Sequence, residues 1–302
     1  MAKGRRIVIL NEAHDDPEHR GFARSVLTAL RSAGFSKLAV ETFNNDEDAT
    51  FTDMTRLRKS GHPVRTTGAY IGDPVFGDMV RHAMSLGYEP VAYEQTFAQS
   101  QKDGSGIEAR EEAQATNLAK AMAKDPNARF AIYVGYSHTA KRPLDRDGKA
   151  VAWMAARLWE KTGSEPLTID QTGLGSTTQT RASATLREAA RRKGVTEPSI
   201  LYAEGKPLVF GKWRGVVDLQ VIHPATTLVH GRPMWLTRIG RHAQKPNPTL
   251  YPARGRALVQ AFLVGEGNDA IPIDQVVLRD ESSPWFMLPD KPVRFVVKEV
   301  VE

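Results

Sequence analysis

The chain has 302 residues, of which 41% are hydrophobic and 25% charged, with a net charge of +6 and no cysteine. This composition is typical of a folded globular protein, and no apolar run reaches the roughly 18 residues that a membrane-spanning helix needs. The lack of cysteine excludes disulfides, thiolate catalysis and cysteine-ligated metal centres. The first residues do not resemble a secretory signal, and the sequence leaves the compartment and the oligomeric state open.

Four apolar segments in the first half of the chain each lead into a residue suited to catalysis or metal binding. They are residues 5–10 before Glu12 and His14, 37–40 before Glu41, 90–93 before Glu94, and 129–134 before Gly135-Tyr-Ser-His138. Such runs predict strands of a parallel sheet whose two faces are both covered. Sheets of this kind bind ligands outside the carboxyl ends of their strands, so we expect these side chains to converge on one pocket.

Helical patterns separate the predicted strands. The predicted helices cover residues 18–33, 44–59, 73–87, 107–123 and 153–159, whereas residues 99–106 are predicted to be a polar loop. A fifth predicted strand, residues 167–169, runs into Asp170. Strands that alternate with helices indicate an α/β domain with a mostly parallel sheet and helices on both faces. We assign this domain to residues 1–225.

The sequence changes character after about Gly173. It predicts a basic helix over 181–193, a hairpin over 201–211, a sixth strand of the main sheet over 216–222 and an irregular connection over 232–254. Three short β runs follow, over 257–264, 271–278 and 293–301. Proline and glycine separate them, which is typical of an antiparallel arrangement. We therefore predict a β-rich C-terminal module over residues 226–302.

The basic segment 181–193 raises the question of nucleic acid. Arg187, Arg191, Arg192 and Lys193 lie near one another on its predicted helix, and a basic helix can contact nucleic acid. A solvated charged face is the commoner arrangement, and the interleaved aromatic residues that single-strand binders use are missing. We therefore expect a small-molecule or peptide substrate and no nucleic-acid partner.

Glu12 and His14 are two residues apart, so on an extended segment they point towards the same ligand. The alternative is that Glu12 caps a helix and His14 is solvated. Glu41 and Glu94 follow their strands in matching positions. A lone Glu there is usually only solvated, but two of them together with His138 favour a shared site. Carboxylates in one site repel and need a proton, a cation or a metal between them, so we predict a strongly shifted pKa for at least one.

Arg110, on the predicted helix 107–123, is a candidate for that cation and also for a group that holds a substrate carboxylate or carbonyl oxygen. Its alternative role is an ion pair one turn along its own helix. Gly135 lets the backbone approach a ligand closely. Ser137 is not an α/β-hydrolase nucleophile, because the Gly-x-Ser-x-Gly pattern is absent.

These residues also carry a resemblance to a superfamily. The sequence Glu-Ala-His-Asp-Asp-Pro-Glu-His, residues 12–19, resembles the opening of ChaN-type haem-binding proteins, which share a superfamily with erythromycin esterases and Tiki-type metalloproteases. Glu41, Glu94 and Gly135-x-x-His138 fall where that superfamily has its other acidic and histidine positions.

The resemblance covers about residues 5–172. Arg110-Glu-Glu is similar to a helix of the esterase branch. Two residues depart from the family pattern: Asn11 stands where the family usually has glycine, and Arg20 where ChaN-type proteins often have histidine. The esterase branch also spaces its Glu and His by three residues rather than two.

One function suggested by these residues and by the resemblance is hydrolysis of an ester or amide bond. His14 would be the general base that activates water, a task that suits its pKa near neutral pH. Glu41 and Glu94 would orient this histidine or the water. Arg110 and His138 would stabilise the developing oxyanion.

A divalent metal is one cofactor hypothesis. Mixed carboxylate and imidazole sets suit zinc, manganese or iron, and the predicted ligands are Glu12, His14, Glu94 and His138.

The rival function is binding of haem or a related iron ligand without catalysis, with His14, His19 or Tyr136 as axial ligand. The sequence shows no obvious apolar slot for haem. A third interpretation treats the α/β domain as a degenerate scaffold and assigns binding to the C-terminal module.

Overall fold

The computed structural model of the protein describes residues 1–41, 43–45, 54–178 and 180–300. Its α-helices are α1 (Pro17–Ser32), α2 (Met54–Ser60), α3 (Pro74–Ser85), α4 (Phe97–Asp103), α5 (Ile107–Lys124), α6 (Met154–Thr162) and α7 (Arg181–Arg192). None of the helices in these described ranges is long and apolar enough to cross a membrane.

The strands of the α/β part are short. They are β1 (Ile7–Glu12), β2 (Lys37–Val40), β3 (Glu89–Val91), β4 (Phe130–Gly135), β5 (Leu144–Arg146), β6 (Lys149–Val151), β7 (Leu167–Asp170), β8 (Ser199–Ile200), β9 (Tyr202–Ala203), β10 (Lys206–Pro207) and β11 (Leu219–Ile222). Seven of them form one sheet in the order β3-β2-β4-β1-β7-β11-β8, in which β8 alone is antiparallel to its neighbour. The predicted fold class is confirmed.

The C-terminal strands are antiparallel. They are β12 (Leu228–Val229), β13 (Arg232–Pro233), β14 (Arg241–Gln244), β15 (Arg256–Leu263), β16 (Asp274–Leu278), β17 (Phe286–Pro289) and β18 (Val293–Val300). Strands β16, β15 and β18 form one sheet, and β14 pairs with β17.

Alternation along β1 explains why helices cover both faces of the main sheet. Successive side chains of a strand point to opposite faces. Val8 and Leu10 pack with residues of α1 and α3, while Ile7 and Ile9 pack with residues of α5 and α6. Because every residue of β1 is buried, the strand lies in the middle of the core, and its carboxyl end opens at the centre of one sheet edge.

The C-terminal strands pack against the α/β part. Ile271 belongs to the same apolar cluster as the α3 residues Phe76 and Met79. A Cβ placed on Gly21 of α1 would lie 3.0 Å from the Trp235 ring. The division into domains at residue 225 therefore stays a prediction, and the structure shows the two parts in close apolar contact.

Two local predictions need correction. Residues 99–106 were expected to form a polar loop, but α4 occupies most of them, because Thr96 and Gln99 form a reciprocal capping box that starts a helix. The helix expected over residues 44–59 is present as α2 from Met54, whereas Phe43 forms an isolated β-bridge to Gly68. The part of this prediction over residues 46–53 lies outside the described residues.

Candidate functional site

Glu12 and His14 form a hydrogen-bonded pair at the carboxyl end of β1. The Nδ1 of His14 lies 2.8 Å from Oε1 of Glu12. Arg20 on α1 donates from Nε and Nη2 to the same carboxylate, at 2.7 and 2.9 Å, and the Tyr133 hydroxyl donates to it at 2.8 Å. Burial raises the pKa of Glu12, but hydrogen bonds from His14 and Arg20 outweigh burial and lower it.

The ionised Glu12 fixes the tautomer of His14. An ionised carboxylate only accepts hydrogen bonds, so Nδ1 of His14 carries the hydrogen. Nε2 then presents a lone pair, and it has no hydrogen-bond partner among the residues that the structure describes. The pair therefore offers a base whose orientation is set by a buried, anchored carboxylate.

Arg20 was seen in the sequence only as a departure from a family pattern. The structure buries it, and besides Glu12 it contacts Asp73 at 3.2 Å and donates to the backbone oxygen of His14 at 2.7 Å. The sequence signal for this role is weak, because Arg20 and Glu12 meet only when α1 folds back over the end of β1.

The His14 ring lies between two tyrosines. Tyr70 stacks on it at 3.9 Å between ring centroids, and Tyr136 meets it edge-on at 5.1 Å. Tyr70 is 45% exposed and Tyr136 is 44% exposed. Tyr136 has a φ of 36°, a left-handed conformation that is strained for a bulky residue and is often found at functional sites. Its carbonyl accepts a 2.9 Å hydrogen bond from Asn11.

Gly135 is needed for the position of His14. A Cβ at this residue would lie 2.5 Å from Nε2 of His14 and 3.0 Å from Oε2 of Glu41. The sequence predicted that Gly135 lets the backbone approach a ligand closely, and in the structure the groups that approach it closely are the imidazole of His14 and the carboxylate of Glu41.

Glu41 is buried and held by two cations. Its Oε1 lies 2.8 Å from Nη2 of Arg110 and 3.3 Å from Nε2 of His138, and its Oε2 accepts a hydrogen bond from the backbone N–H of Gly135. Burial raises the pKa of Glu41, but His138 and Arg110 more than compensate and hold it far below its ordinary range. The predicted strong pKa shift is thus present, and its direction keeps Glu41 ionised.

Arg110 links Glu41 to Glu94. It donates to Glu94 from Nε at 2.9 Å and from Nη2 at 2.6 Å. Burial lowers the pKa of Arg110, but the two carboxylates raise it well above its ordinary value. Its Nη1 has a single neighbour within hydrogen-bond range in the described chain, Nε2 of His138 at 3.4 Å.

His138 lies between two carboxylates. Its Nδ1 is 2.7 Å from Oε1 of Glu111, which is fully buried and also accepts a 2.6 Å hydrogen bond from the backbone N–H of Met154. Burial lowers the pKa of His138, but Glu41 and Glu111 outweigh it and raise the pKa to about 10. His138 is therefore an imidazolium at neutral pH, and it cannot accept a hydrogen bond from Nη1 of Arg110.

Glu111 was missed from the sequence, although a signal for it exists. It occupies the buried face of α5 with Ala115, Leu118 and Met122, at helical spacing. A carboxylate on an apolar stripe needs a buried partner, and that partner is His138.

His19 lies apart from this cluster. It is buried, and its Nδ1 accepts a hydrogen bond from the Ala13 N–H at 3.0 Å. Burial, reinforced by His223, lowers its pKa to about 4. Nε2 then carries the hydrogen and lies 3.6 Å from Asp16, so neither nitrogen offers a lone pair to a haem iron.

The adjacent strand end carries a second polar network. Asp170, at the end of β7, is fully buried and accepts hydrogen bonds from Asn11, Gln220, Thr172 and the N–H of Gly173, at 2.7–3.1 Å. The sequence placed Asp170 at a strand exit and assigned it no function. Its partners are amides, a hydroxyl and backbone N–H groups.

The predicted metal ligands are brought to one edge of the sheet, where Nε2 of His14 keeps its lone pair but the donor atoms of the other three are already engaged. Glu12 is bound by Arg20, Glu94 by Arg110, and both nitrogens of His138 face carboxylates. Across the described ranges, no group of three or more His, Asp or Glu side chains has the arrangement of a metal site. Metal and haem binding stay predictions.

No family model matches this chain, and no curated protein matches it. Among solved structures, it is similar to RRSP, a MARTX toxin effector domain from Vibrio vulnificus, with 16% identity and a TM-score of 0.37 over 51% of this chain and 32% of that one. It is also similar to the type III effector HopBA1, with 12% identity and a TM-score of 0.38 over 74% of this chain and 90% of that one.

The chain thus spans 32% of the length of the toxin domain. Both TM-scores lie below 0.5, so neither similarity carries a fold or an activity over to this chain. The resemblance to the ChaN-type superfamily stays a prediction.

Proposed function

We propose that this site hydrolyses an ester or amide bond, with His14 as the general base. The observation that carries the proposal is the His14–Glu12 pair, because a base whose Nδ1 is held by an anchored carboxylate presents Nε2 in one orientation. The same division of roles makes histidine an effective base in hydrolases with a Ser-His-Asp triad. Here the attacking group would be water, since the chain has no cysteine and the described side-chain hydrogen bond of His14 is to Glu12, not to a serine.

The attacking water would be hydrogen-bonded to Nε2 of His14, which has no other partner among the described residues. His14 Nε2 removes a proton from this water as its oxygen bonds to the carbonyl carbon of the substrate. The carbonyl oxygen becomes an oxyanion in the tetrahedral intermediate. When the carbon–oxygen or carbon–nitrogen bond to the leaving group breaks, the protonated His14 returns its proton to that group.

Arg110 is suited to stabilise the oxyanion through Nη1. Its Nε and Nη2 already hold Glu94 and Glu41, which fixes the plane of the guanidinium. Nη1 faces the imidazolium of His138, which cannot accept its hydrogen, so an incoming oxyanion would meet an unused donor. Preorganised donors of this kind are usually the largest single contribution to catalysis.

His138 has a different role in this proposal from the one the sequence suggested. Both of its nitrogens face carboxylates, so neither N–H is directed at a substrate. Its positive charge instead offsets Glu41 and Glu111 and prevents them from repelling an oxyanion at Arg110. Glu41 and Glu94 act as supports for Arg110, because the lowered pKa of Glu41 makes its carboxylate a weak base.

The test is hydrolysis of a p-nitrophenyl ester and of a fluorogenic peptide by the purified protein. We expect turnover that His14→Gln reduces by about 10²–10⁴-fold, whereas the matched control His242→Gln, at an exposed histidine of β14, leaves it unchanged. Equal rates in wild type and His14→Gln, or no turnover of either probe, would contradict the proposal.

Two further arms address the cofactor hypotheses. Loss of activity with a chelator and its return with zinc or manganese would support a metal role. A Soret band on addition of haem, together with no hydrolysis, would support the binding function instead.

A further inference from the structure

A second cleft opens at the same edge of the sheet, two strands away from β1. It has a volume of about 470 Å³ and lies beyond the carboxyl end of β11, between α1, α7 and the 3-10 helix Met234–Ile239. This volume is within the range of small-molecule sites. The proposed hydrolysis uses none of its residues.

His223 contributes a buried nitrogen without a hydrogen-bond partner to this cleft. Its side chain is fully buried, and its Nε2 lies 3.1 Å from Oε1 of Gln171. The Gln171 amide is oriented by its own donation from Nε2 to the backbone oxygen of Asn11 at 2.6 Å, so Oε1 is an acceptor. Nε2 of His223 must therefore carry the hydrogen, and in the neutral ring Nδ1 is a lone-pair acceptor.

A second acceptor faces this nitrogen. Oε1 of Glu18, also buried, lies 3.8 Å from Nδ1 of His223, which is beyond hydrogen-bond distance. Nδ1 has no hydrogen-bond partner in the described part of the chain. Oε1 of Glu18 also accepts a hydrogen bond from Nη1 of Arg238 at 3.4 Å, so the acceptor that lacks a donor is Nδ1 of His223, and a buried acceptor left unpaired is costly.

The remaining lining indicates the rest of the ligand. Ile222, Trp235 and Ala190 provide apolar walls. The arginines around the cleft are engaged: Arg187 donates to two backbone carbonyls, and Arg238 contacts Glu18 and Glu197. With these guanidinium groups occupied, the cleft favours a neutral ligand over a phosphate or carboxylate.

We propose that this cleft is a separate binding site for a small neutral molecule that carries an amide or amine N–H on an apolar ring. The N–H would be shared between Nδ1 of His223 and Oε1 of Glu18, and the ring would pack on Trp235. The space is far larger than the roughly 30 Å³ of one water molecule, so a single bound water would leave most of it unfilled.

Benzamide and benzoate make a matched pair of probes, because they have similar shapes but only benzamide has N–H donors. We would titrate each into protein labelled with ¹⁵N at tryptophan and histidine and follow the Trp235 indole and the His223 ring nitrogens. Benzamide should shift both sets of signals, and benzoate should bind about tenfold more weakly, the loss expected for one hydrogen bond.

Location is tested by a blocking variant at an exposed position, which avoids any cost to folding. Ala184 lines the cleft and is exposed, whereas Ala189 is exposed on the same helix and does not line it. Ala184→Phe should abolish the benzamide shifts and Ala189→Phe should keep them. Unchanged signals up to the solubility limit of benzamide, equal binding of benzoate, or binding that survives Ala184→Phe would overturn the proposal.

Discussion

Glu41 and Asp170 are two buried carboxylates at the carboxyl ends of strands in one sheet, yet their surroundings are opposite in kind. Glu41 faces Arg110 and His138, both of them cations. Asp170 faces amides, a hydroxyl and backbone N–H groups. The first arrangement leaves an unused donor, Nη1 of Arg110, beside the protonated ring of His138. The second uses hydrogen-bond donors only to hold strand ends together.

This difference shows that burial of an acid is not by itself a sign of catalysis. Charged partners keep groups that can respond when a substrate develops charge. Neutral partners satisfy the carboxylate and leave nothing to donate. We therefore expect changes near Glu41 and His14 to reduce activity, and changes near Asp170 to reduce stability.

The largest expected effect separates His14 from the core beneath it. His14→Ala should lower kcat/KM by about 10²–10⁴-fold, while loss of its hydrogen bond to the buried Glu12 carboxylate should cost only about 1–2 kcal/mol of stability. Ile9 is fully buried in the strand that precedes His14, and Ile9→Ala should keep kcat/KM but cost on the order of 2–5 kcal/mol of stability. Thermal unfolding and a turnover assay measure both quantities. If His14→Ala melts as early as Ile9→Ala and keeps its activity, His14 is a packing residue.

Asp170→Ala tests the opposite side of the comparison. Removing the carboxylate leaves several buried donors without an acceptor, so the free energy of unfolding should fall by about 3 kcal/mol or more. Asp290→Ala, at an exposed aspartate, serves as the control and should stay within roughly 0.5 kcal/mol of wild type. Chemical denaturation gives both values. A stable Asp170→Ala protein that has lost hydrolysis would place Asp170 in the catalytic machinery and end the distinction.

Gly135→Ala sharpens the comparison at the site itself. The backbone φ of −85° at Gly135 is open to alanine, but the new Cβ would meet Nε2 of His14. Displacing the base by about 1 Å should lower kcat about 10²-fold. Gly72→Ala, which would meet no atom within 4 Å, should leave turnover unchanged. Full activity in Gly135→Ala would mean that the position of His14 above Gly135 is not needed for catalysis.

The pH dependence of stability tests whether His138 is a cation. Its folded pKa of about 10 lies above the unfolded value of 6.5. The native state therefore binds the extra proton between these two values. The stabilising contribution is complete below pH 6.5 and is lost as the pH rises through 10. The difference in unfolding free energy between wild type and His138→Gln should thus be largest near pH 6 and shrink towards pH 10. A difference that stays constant over this range would show that His138 is neutral.

The sequence predicted the positions that depend on strand ends. Glu12, His14, Glu41 and His138 follow apolar strands directly, and parallel strands deliver their carboxyl ends to one edge. Arg110 was identified as the cation between carboxylates because its charge was needed. These inferences use only local sequence and one rule about parallel sheets.

The sequence could not give the partners that come from folding over distance. Arg20 reaches Glu12 through the packing of α1, and Tyr70 reaches His14 through a 3-10 helix far along the chain. In the sequence, Asn11 was noted only because it stands where the family usually has glycine. In the structure, its side chain donates hydrogen bonds to Asp170 and to the carbonyl oxygen of Tyr136. Each of these contacts depends on the relative placement of elements, which periodicity and spacing do not encode.

The parallel ladder between β1 and β4 pairs Glu12 with Gly135. The residue whose carboxylate orients the base and the glycine against which the base packs are thus direct partners on adjacent strands of one hydrogen-bonded sheet. Strand separation in a sheet is held at about 4.8 Å, and a register slip of one residue would turn Glu12 to the wrong face. Heating should therefore leave the spacing of these two residues intact until the sheet melts, so inactivation and cooperative unfolding should begin at the same temperature.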